Sequence, residues 1–331
     1  MEELLPFEKI KRKILLKKEA ETSREYGISP EDRSTKELIN YGIINLNKSD
    51  GPTSHQVSDY VQKILNIKKA GHSGTLDPGV TGVLPIALGR ATRIVEYLLK
   101  AGKEYVCLMH LHKPISEDLI KKTFEEFTGK IKQLPPIKSA VKRVLREREI
   151  YYVNILETKN QDVLFKIGCQ AGTYIRKFVH DFGQKLKIGA HMSQLVRTKV
   201  ATFTDKDWIT LYDLKDAYEF YKQGDEKQLR KCILPIEKAV EHLPKIWVFD
   251  TTVDSLCHGA QLSIPGISKL ESEIKEKDII AILTLKNELI CIGTAMLNSE
   301  EILKNMKGIV VKVNKVFMKE GTYPKYTKNS L

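Results

Sequence analysis

The stretch Gly71-His72-Ser73-Gly74-Thr75-Leu76-Asp77-Pro78-Gly79-Val80-Thr81-Gly82 sets a single carboxylate between glycines and directly ahead of a proline. Proline biases the residue before it away from helix and toward extended backbone. The four glycines let the chain turn sharply and come close to a ligand. Such a loop can hold one acid at the floor of a cleft. Asp-Pro-Gly is also ordinary turn chemistry, so the surroundings must decide between a surface turn and a reactive site.

Outward from the loop, the pattern alternates strands and helices. Residues 42–46 are strand-like, and Thr53 opens a helix with Gln56 three residues later, the spacing of a capping box. Val57, Tyr60, Val61, Ile64 and Leu65 recur at helical intervals and are expected to bury one face. Downstream, helices are expected over 91–100 and 117–128, the second stopped by Gly129. Strands are expected over 105–111, 153–156 and 163–169, with alternation at Val163, Phe165, Ile167 and Cys169. A helix from about Thr173 carries Ile175, Phe178, Val179, Phe182 and Leu186 on one side. After Leu243-Pro244 the character changes to short β-type runs at 247–249, 279–285, 289–296 and 309–317, with a turn at Lys286-Asn287-Glu288. Several short strands with regular turns suggest a small barrel.

The chain has 331 residues, enough for two domains. Its net charge of +12 argues for a polyanionic partner. No apolar run is long enough to span a bilayer, and residues 1–20 do not read as a secretory signal, so a cytoplasmic protein is expected. The five cysteines are widely spaced without a C-x-x-C pair, which speaks against zinc and disulfides.

Three long segments flanking the loop carry a family resemblance: YGIINLNKSDGPTSHQV (41–57), VLPIALGRATRIVEYLLKAGKEYV (83–106) and AGTYIRKFVHDFG (171–183). With GHSGTLDP they closely resemble the TruB-type pseudouridine synthases. PPIKSAVKR (135–143), GAHMSQLVRT (189–198) and AVEHLPKIWV (239–248) resemble the archaeal and eukaryotic dyskerin-type branch. The resemblance runs from about residue 41 to 326 in family order. Ser49 departs from the usual Lys-Pro pair, and Lys177 and 200–203 also differ.

The resemblance implies an α+β fold. A mixed central β-sheet catalytic core with helices spans 39–243, and a C-terminal PUA-type RNA-binding barrel spans 244–326. Residues 1–38 are expected as an N-terminal extension packing on the C-terminal domain, although the basic stretch KIKRKILLKKEAETSRE (9–25) also suits a solvated arm. It implies isomerisation of uridine to pseudouridine in rRNA and tRNA. Guide RNA of the H/ACA type and three small accessory subunits are the expected partners, in an archaeal cell.

The reaction cuts the C1′–N1 bond, turns the base and rejoins it through C5, with no redox change, so no cofactor or metal is expected. One ionised carboxylate suffices, acting as nucleophile or base, unlike the paired acids of glycoside hydrolysis. By resemblance Asp77 is that acid, Arg176 holds it, and Tyr105 stacks on the target base with a proton-transfer duty. His72, Arg93, Tyr174 and Leu195 are expected around the substrate, and Lys48 is expected there as a phosphate contact or as a residue that orders the loop. Tyr174 and Arg176 would diverge inside a helix, so the pair is expected at its entrance, where the backbone is still extended. Lys138, Lys142, Arg143, Arg146 and Arg148 form a basic region read as a mobile RNA-binding loop, diluted by Glu147 and Glu149. Flipping a base out costs a few kcal/mol, about what such contacts must repay. Two alternatives stand beside this reading: a free-standing enzyme acting on the tRNA TΨC loop, and a non-catalytic RNA-binding scaffold.

Overall fold

The computed structural model describes residues 3–135 and 142–325. It forms two compact units, Met1–Lys9 with Ile43–Leu234, and Ile10–Gly42 with Pro235–Leu331.

The main sheet of the first unit contains, as successive neighbours, Gly42–Lys48, Thr81–Leu88, Ala190–Val200, Lys103–Leu111, Asp162–Cys169, Arg146–Lys159 and Gly129–Gln133. It is mixed. Thr81–Leu88 and Ala190–Val200 run parallel, while the other neighbours are antiparallel. The two parallel strands were not foreseen, for identifiable reasons. Thr81–Leu88 is buried on both faces, so it shows no alternation, and it carries Pro85 at its middle. Ala190–Val200 reads as polar because it buries an arginine, Arg197, and Thr198.

Helix Ser54–Leu65 starts as its capping box requires, with Thr53 and Gln56 bonding each other's backbone N–H reciprocally. Val57, Val61 and Leu65 are buried, but Tyr60 is exposed, so the apolar face is narrower than its spacing suggests. The helix expected over 91–100 begins as a 3-10 turn, Gly89–Ile94, and becomes α-helical only at Val95–Lys100. Helix Glu117–Glu126 places Phe124 against Phe165 and Phe182, with ring centroids 5.0 and 4.6 Å apart. That aromatic cluster fixes helix Ile175–Lys185 on the sheet. The same helix passes so close to the Ala190 strand that a Cβ on Gly183 would lie 2.3 Å from the Ala190 nitrogen.

Residues 3–9 belong to this unit, whereas the extension 1–38 was expected to pack on the C-terminal domain. Leu5 is fully buried, Glu3 pairs with Lys166 at 2.7 Å and Glu8 with Lys199 at 2.9 Å. These residues supply an apolar anchor and two acids to a basic strand surface.

The second unit is built on seven strands, ordered Ile14–Leu16, Ile267–Glu271, Lys245–Val248, Ile279–Leu283, Leu289–Ala295, Ile309–Val316, Leu262–Ser263. Its core is largely isoleucine, leucine and valine. The Lys286-Asn287-Glu288 turn joins two antiparallel strands, with Asn287 at φ 67°. The basic segment is no free arm. Ile14–Leu16 completes the sheet, and Lys17 Nζ donates to the Leu303 and Asn305 carbonyls. Arg33 makes a bidentate pair with Glu237, both bonds at 2.7 Å.

Candidate active site

The Asp77 loop is fastened from below. Ser73 N–H donates to the Pro85 carbonyl at 3.0 Å. Leu76 and Ser54 bond reciprocally, with Leu76 N–H donating to Ser54 Oγ (2.8 Å) and Ser54 Oγ donating to the Leu76 carbonyl (3.1 Å). Leu76 and Val80 are buried either side of Asp77, so the loop anchors itself and leaves the acid outward. Gly82 sits at φ 107°, and a Cβ there would lie 2.2 Å from the Arg197 carbonyl. Only glycine allows that approach.

Of the two parts expected for Lys48, phosphate contact or ordering of the loop, the geometry fits the second: it is fully buried, and its Nζ donates to the carbonyls of Ser49 (2.9 Å), Pro78 (2.8 Å) and Val80 (2.8 Å). Three acceptors use all three protons of an ammonium, leaving none for a phosphate. Lys48 orders the loop.

Arg176 Nη2 donates to Asp77 Oδ2 at 2.7 Å. Both side chains are more than half exposed, 60% and 55%. A pair that open adds only about 0–1 kcal/mol to stability, so structure alone gives little reason for it. Arg176 is the second residue of helix Ile175–Lys185, and Tyr174 is its N-cap with extended backbone, φ −101° and ψ 104°. The two therefore occupy the helix entrance. Gln133, nearly fully buried, grips that entrance: its side chain accepts from Tyr174 N–H (3.0 Å) and donates to the Tyr174 carbonyl (3.2 Å). Sequence reading missed Gln133, since a lone glutamine at a strand end carries no pattern.

Tyr105 lies opposite Arg197 on adjacent strands. Burial pushes the Tyr105 phenol above its ordinary pKa, and the charge of the neighbouring Arg197 guanidinium partly opposes that. Arg197 is buried to 1% exposure, and also donates from Nε to the Val83 carbonyl (2.7 Å) and from Nη2 to the Gly74 carbonyl (3.2 Å). It too was missed, although a single arginine in the apolar-flanked run Leu195-Val196-Arg197 was a readable signal.

His72 ends strand Ala70–His72, its Nδ1 accepting from Gly74 N–H at 3.4 Å and its ring edge-on to His55 at 4.8 Å. Burial first, then His55 and Arg197, lower its pKa to about 4. It is neutral near pH 7. Leu195 is buried beside this region on the Arg197 strand, opposite Cys107. Arg93 is exposed on the 3-10 turn Gly89–Ile94.

The basic loop is shorter than expected. Arg146 is not in a loop: it is the first residue of strand Arg146–Lys159 and pairs with Gln133, while Arg148 pairs with Ile131. Arginines and glutamates alternate there because the strand has two faces. Lys142 and Arg143 are exposed and precede it, and Lys138 lies outside the described residues. Among the described residues, no group of three or more histidine, cysteine or acidic side chains is arranged to hold a metal, and no helix is long and apolar enough to cross a membrane.

Family models match along the chain: a DKCLD domain over 2–58, the N-terminal domain of TruB family pseudouridylate synthase over 62–175, the C-terminal domain of tRNA pseudouridylate synthase B over 176–241, and a PUA domain over 244–317. A probable tRNA pseudouridine synthase B of Pyrococcus furiosus is 54% identical, over 96% of this chain and 94% of its own. The corresponding protein of Methanothermobacter thermautotrophicus is 52% identical, over 93% and 95%. Among solved structures, a chain of a Cbf5-Nop10-Gar1 complex superposes with TM-score 0.93 at 53% identity, covering 98% of this chain and 99% of that one. A chain of an H/ACA RNP bound to a substrate RNA containing 2′-deoxyuridine gives 0.91 at 51%, covering 97% and 99%. With identity above one half along nearly its whole length, the chain belongs to the TruB-type pseudouridine synthases, RNA-acting isomerases, in the dyskerin-type branch that adds DKCLD and PUA domains.

Proposed function

We propose that this protein is the catalytic subunit of an H/ACA-type ribonucleoprotein, working in the cytoplasm of an archaeal cell. It isomerises uridines that a guide RNA presents in rRNA, and also uridines in tRNA, with Asp77 as the reacting carboxylate. The observation that carries this is the Asp77–Arg176 pair at 2.7 Å, open to solvent on a loop otherwise fastened by buried groups.

The chemistry follows from the geometry. Arg176 keeps the Asp77 carboxylate oriented through a charge-assisted bond. In free protein that pair is hydrated. An extruded uridine seated over it displaces the water, and the same charges then act more strongly in a lower-dielectric site. Asp77 attacks C1′ or removes the C2′ proton, the C1′–N1 bond breaks, and the base turns and bonds through C5. C5 loses one proton and N1 gains one, so atoms and electrons balance without a co-reactant. Tyr105 offers its ring for stacking, worth about 1–3 kcal/mol. His72, being uncharged, serves the flipped nucleotide as a hydrogen-bonding or stacking group and not as a phosphate cation. Lys142, Arg143 and Lys138 contact substrate RNA. We assign guide-RNA binding to the PUA segment. Small subunits of the Nop10 and Gar1 kinds are partners, because chains over 50% identical occur in such complexes.

Asp77→Asn tests the assignment. Pseudouridine formation is expected to fall by about 10⁴-fold or more, with RNA affinity little changed. Product at a rate near wild type refutes it. The name of the curated relatives, tRNA pseudouridine synthase B, supports a second reading, guide-free action on the tRNA TΨC loop. An assay on tRNA and rRNA fragments, with and without guide RNA and accessory subunits, separates the two.

A further inference from the structure

We infer that Gln133 is a positioning residue for the isomerisation, fixing the first turn of helix Ile175–Lys185 so that Arg176 stays aligned on Asp77. The inference deepens the reading of that pair given above and rests on it.

Helices Ser54–Leu65, Glu117–Glu126 and Leu211–Lys222 each open on a threonine or serine whose hydroxyl accepts from a backbone N–H of the first turn. Helix Ile175–Lys185 opens differently. Tyr174 stands at its N-cap position, and the tyrosine side chain makes no capping hydrogen bond. A first turn without such a cap frays readily. Arg176 lies in that turn, as its second residue.

Gln133 supplies the missing hold from a different strand. It ends strand Gly129–Gln133 and is 2% exposed. Its amide oxygen accepts from Tyr174 N–H at 3.0 Å, and its amide nitrogen donates to the Tyr174 carbonyl at 3.2 Å. The same carbonyl accepts the first helical bond, from Phe178 N–H at 2.9 Å. One side chain thus clamps both polar groups of the residue at which extended backbone becomes helix. The neighbouring strand Arg146–Lys159 holds the turn before it. Gln170 N–H donates to the Glu149 carbonyl at 2.8 Å, and Gln170 Oε1 accepts from Glu149 N–H at 3.2 Å. Residues 170–174 are therefore tied at both ends to one β-hairpin.

A residue that only filled space at 133 would need no amide, because leucine has nearly the same size and leaves no polar group to satisfy. What the amide adds is direction. The Asp77–Arg176 contact is a single bond at 2.7 Å between side chains that are more than half exposed. A pair that open has little energy of its own with which to hold a helix end in place. The backbone must place the guanidinium, and Gln133 fixes that backbone. A misplacement of about 1 Å at a reacting group can lower a rate about a hundredfold.

The test is a double-mutant cycle on the full chain, assembled with guide RNA and accessory subunits, in single-turnover reactions at saturating substrate. Gln133→Leu is expected to lower the rate by about ten- to a hundredfold, leaving the half-saturating RNA concentration little changed. In an Arg176→Met background the same change is expected to cost less than about threefold, because no guanidinium remains to be aligned. Gln133→Met, unbranched and equally unable to make either bond, serves in the same comparison should leucine pack poorly. Circular dichroism at the assay temperature selects folded variants. Equal losses in both backgrounds, a weakened RNA affinity at unchanged rate, or a wild-type rate for the folded Gln133 variants would each overturn the inference. An active Asp77→Asn control would instead sink the site reading beneath it, so the two failures are distinguishable.

Discussion

Replacing Lys48 with methionine keeps the length of the stem and deletes three hydrogen bonds. The acceptors are not equivalent. The bonds to the Ser49 and Pro78 carbonyls are partly buried, so water can reach those oxygens once the ammonium is gone, whereas the bond to Val80 is enclosed. One acceptor is therefore left wholly unsatisfied, at about 1–3 kcal/mol, and two are exchanged for water at a smaller cost each. The sum is about 3 kcal/mol. For a unit of this size that lowers the thermal midpoint by about 6–12 °C. The lost bonds flank Asp77 at Pro78 and Val80, so the pseudouridine-forming rate is expected to drop at temperatures where the variant is still folded. RNA affinity and its salt dependence are expected to stay as in wild type, because the ammonium is buried and saturated. Calorimetry, single-turnover assays and RNA titrations at several salt concentrations measure all three quantities. An unchanged midpoint with weaker, less salt-sensitive RNA binding would show that Lys48 reaches a phosphate, and the loop-ordering argument would be wrong.

Gly82→Ala forces a left-handed backbone and a 2.2 Å contact with the Arg197 carbonyl onto the parallel strand pair; a loss of at least about 2 kcal/mol in chemical denaturation is expected. His72 has its native pKa lowered to about 4 against an ordinary value of 6.5, so the unfolded chain binds more protons between those limits. Its contribution to stability is present above pH 6.5 and fades as pH falls toward 4; midpoints measured across that range are expected to flatten in His72→Gln. Lys142→Ala with Arg143→Ala is expected to reduce the slope of log affinity against log salt by about 1.5, the share of two phosphate contacts, while the rate at saturating RNA holds.

The legibility of this chain varied with how local the determining physics is. The capping box at Thr53 and Gln56 was readable because both partners lie within one helical turn. The extended N-cap at Tyr174 was readable from divergence of side chains two residues apart. Strand Thr81–Leu88 was not, because burial on both faces erases the period of two and Pro85 suggests a break. Arg146 was placed in a loop because a run of mixed charges looks solvated in sequence, whereas strand alternation sends successive charges to opposite faces. The first residues are acidic and the stretch after them is basic, but composition does not say which unit each joins, and only long-range partners divide them.

By itself the sequence determined that one carboxylate would sit on a glycine-rich loop, that a cation-rich chain would meet a polyanion, and that an arginine near a helix start would pair with the acid. These depend on backbone preferences, on total charge and on motifs read in order. Tertiary structure decided the roles of the other cations. Lys48 and Arg197 are as basic in sequence as Lys142 and Arg143, yet the first two are enclosed and spend their donors on backbone carbonyls, while the last two face solvent. The difference is burial. A charge withdrawn from water must find every partner inside the fold, and those partners come from strands far away along the chain.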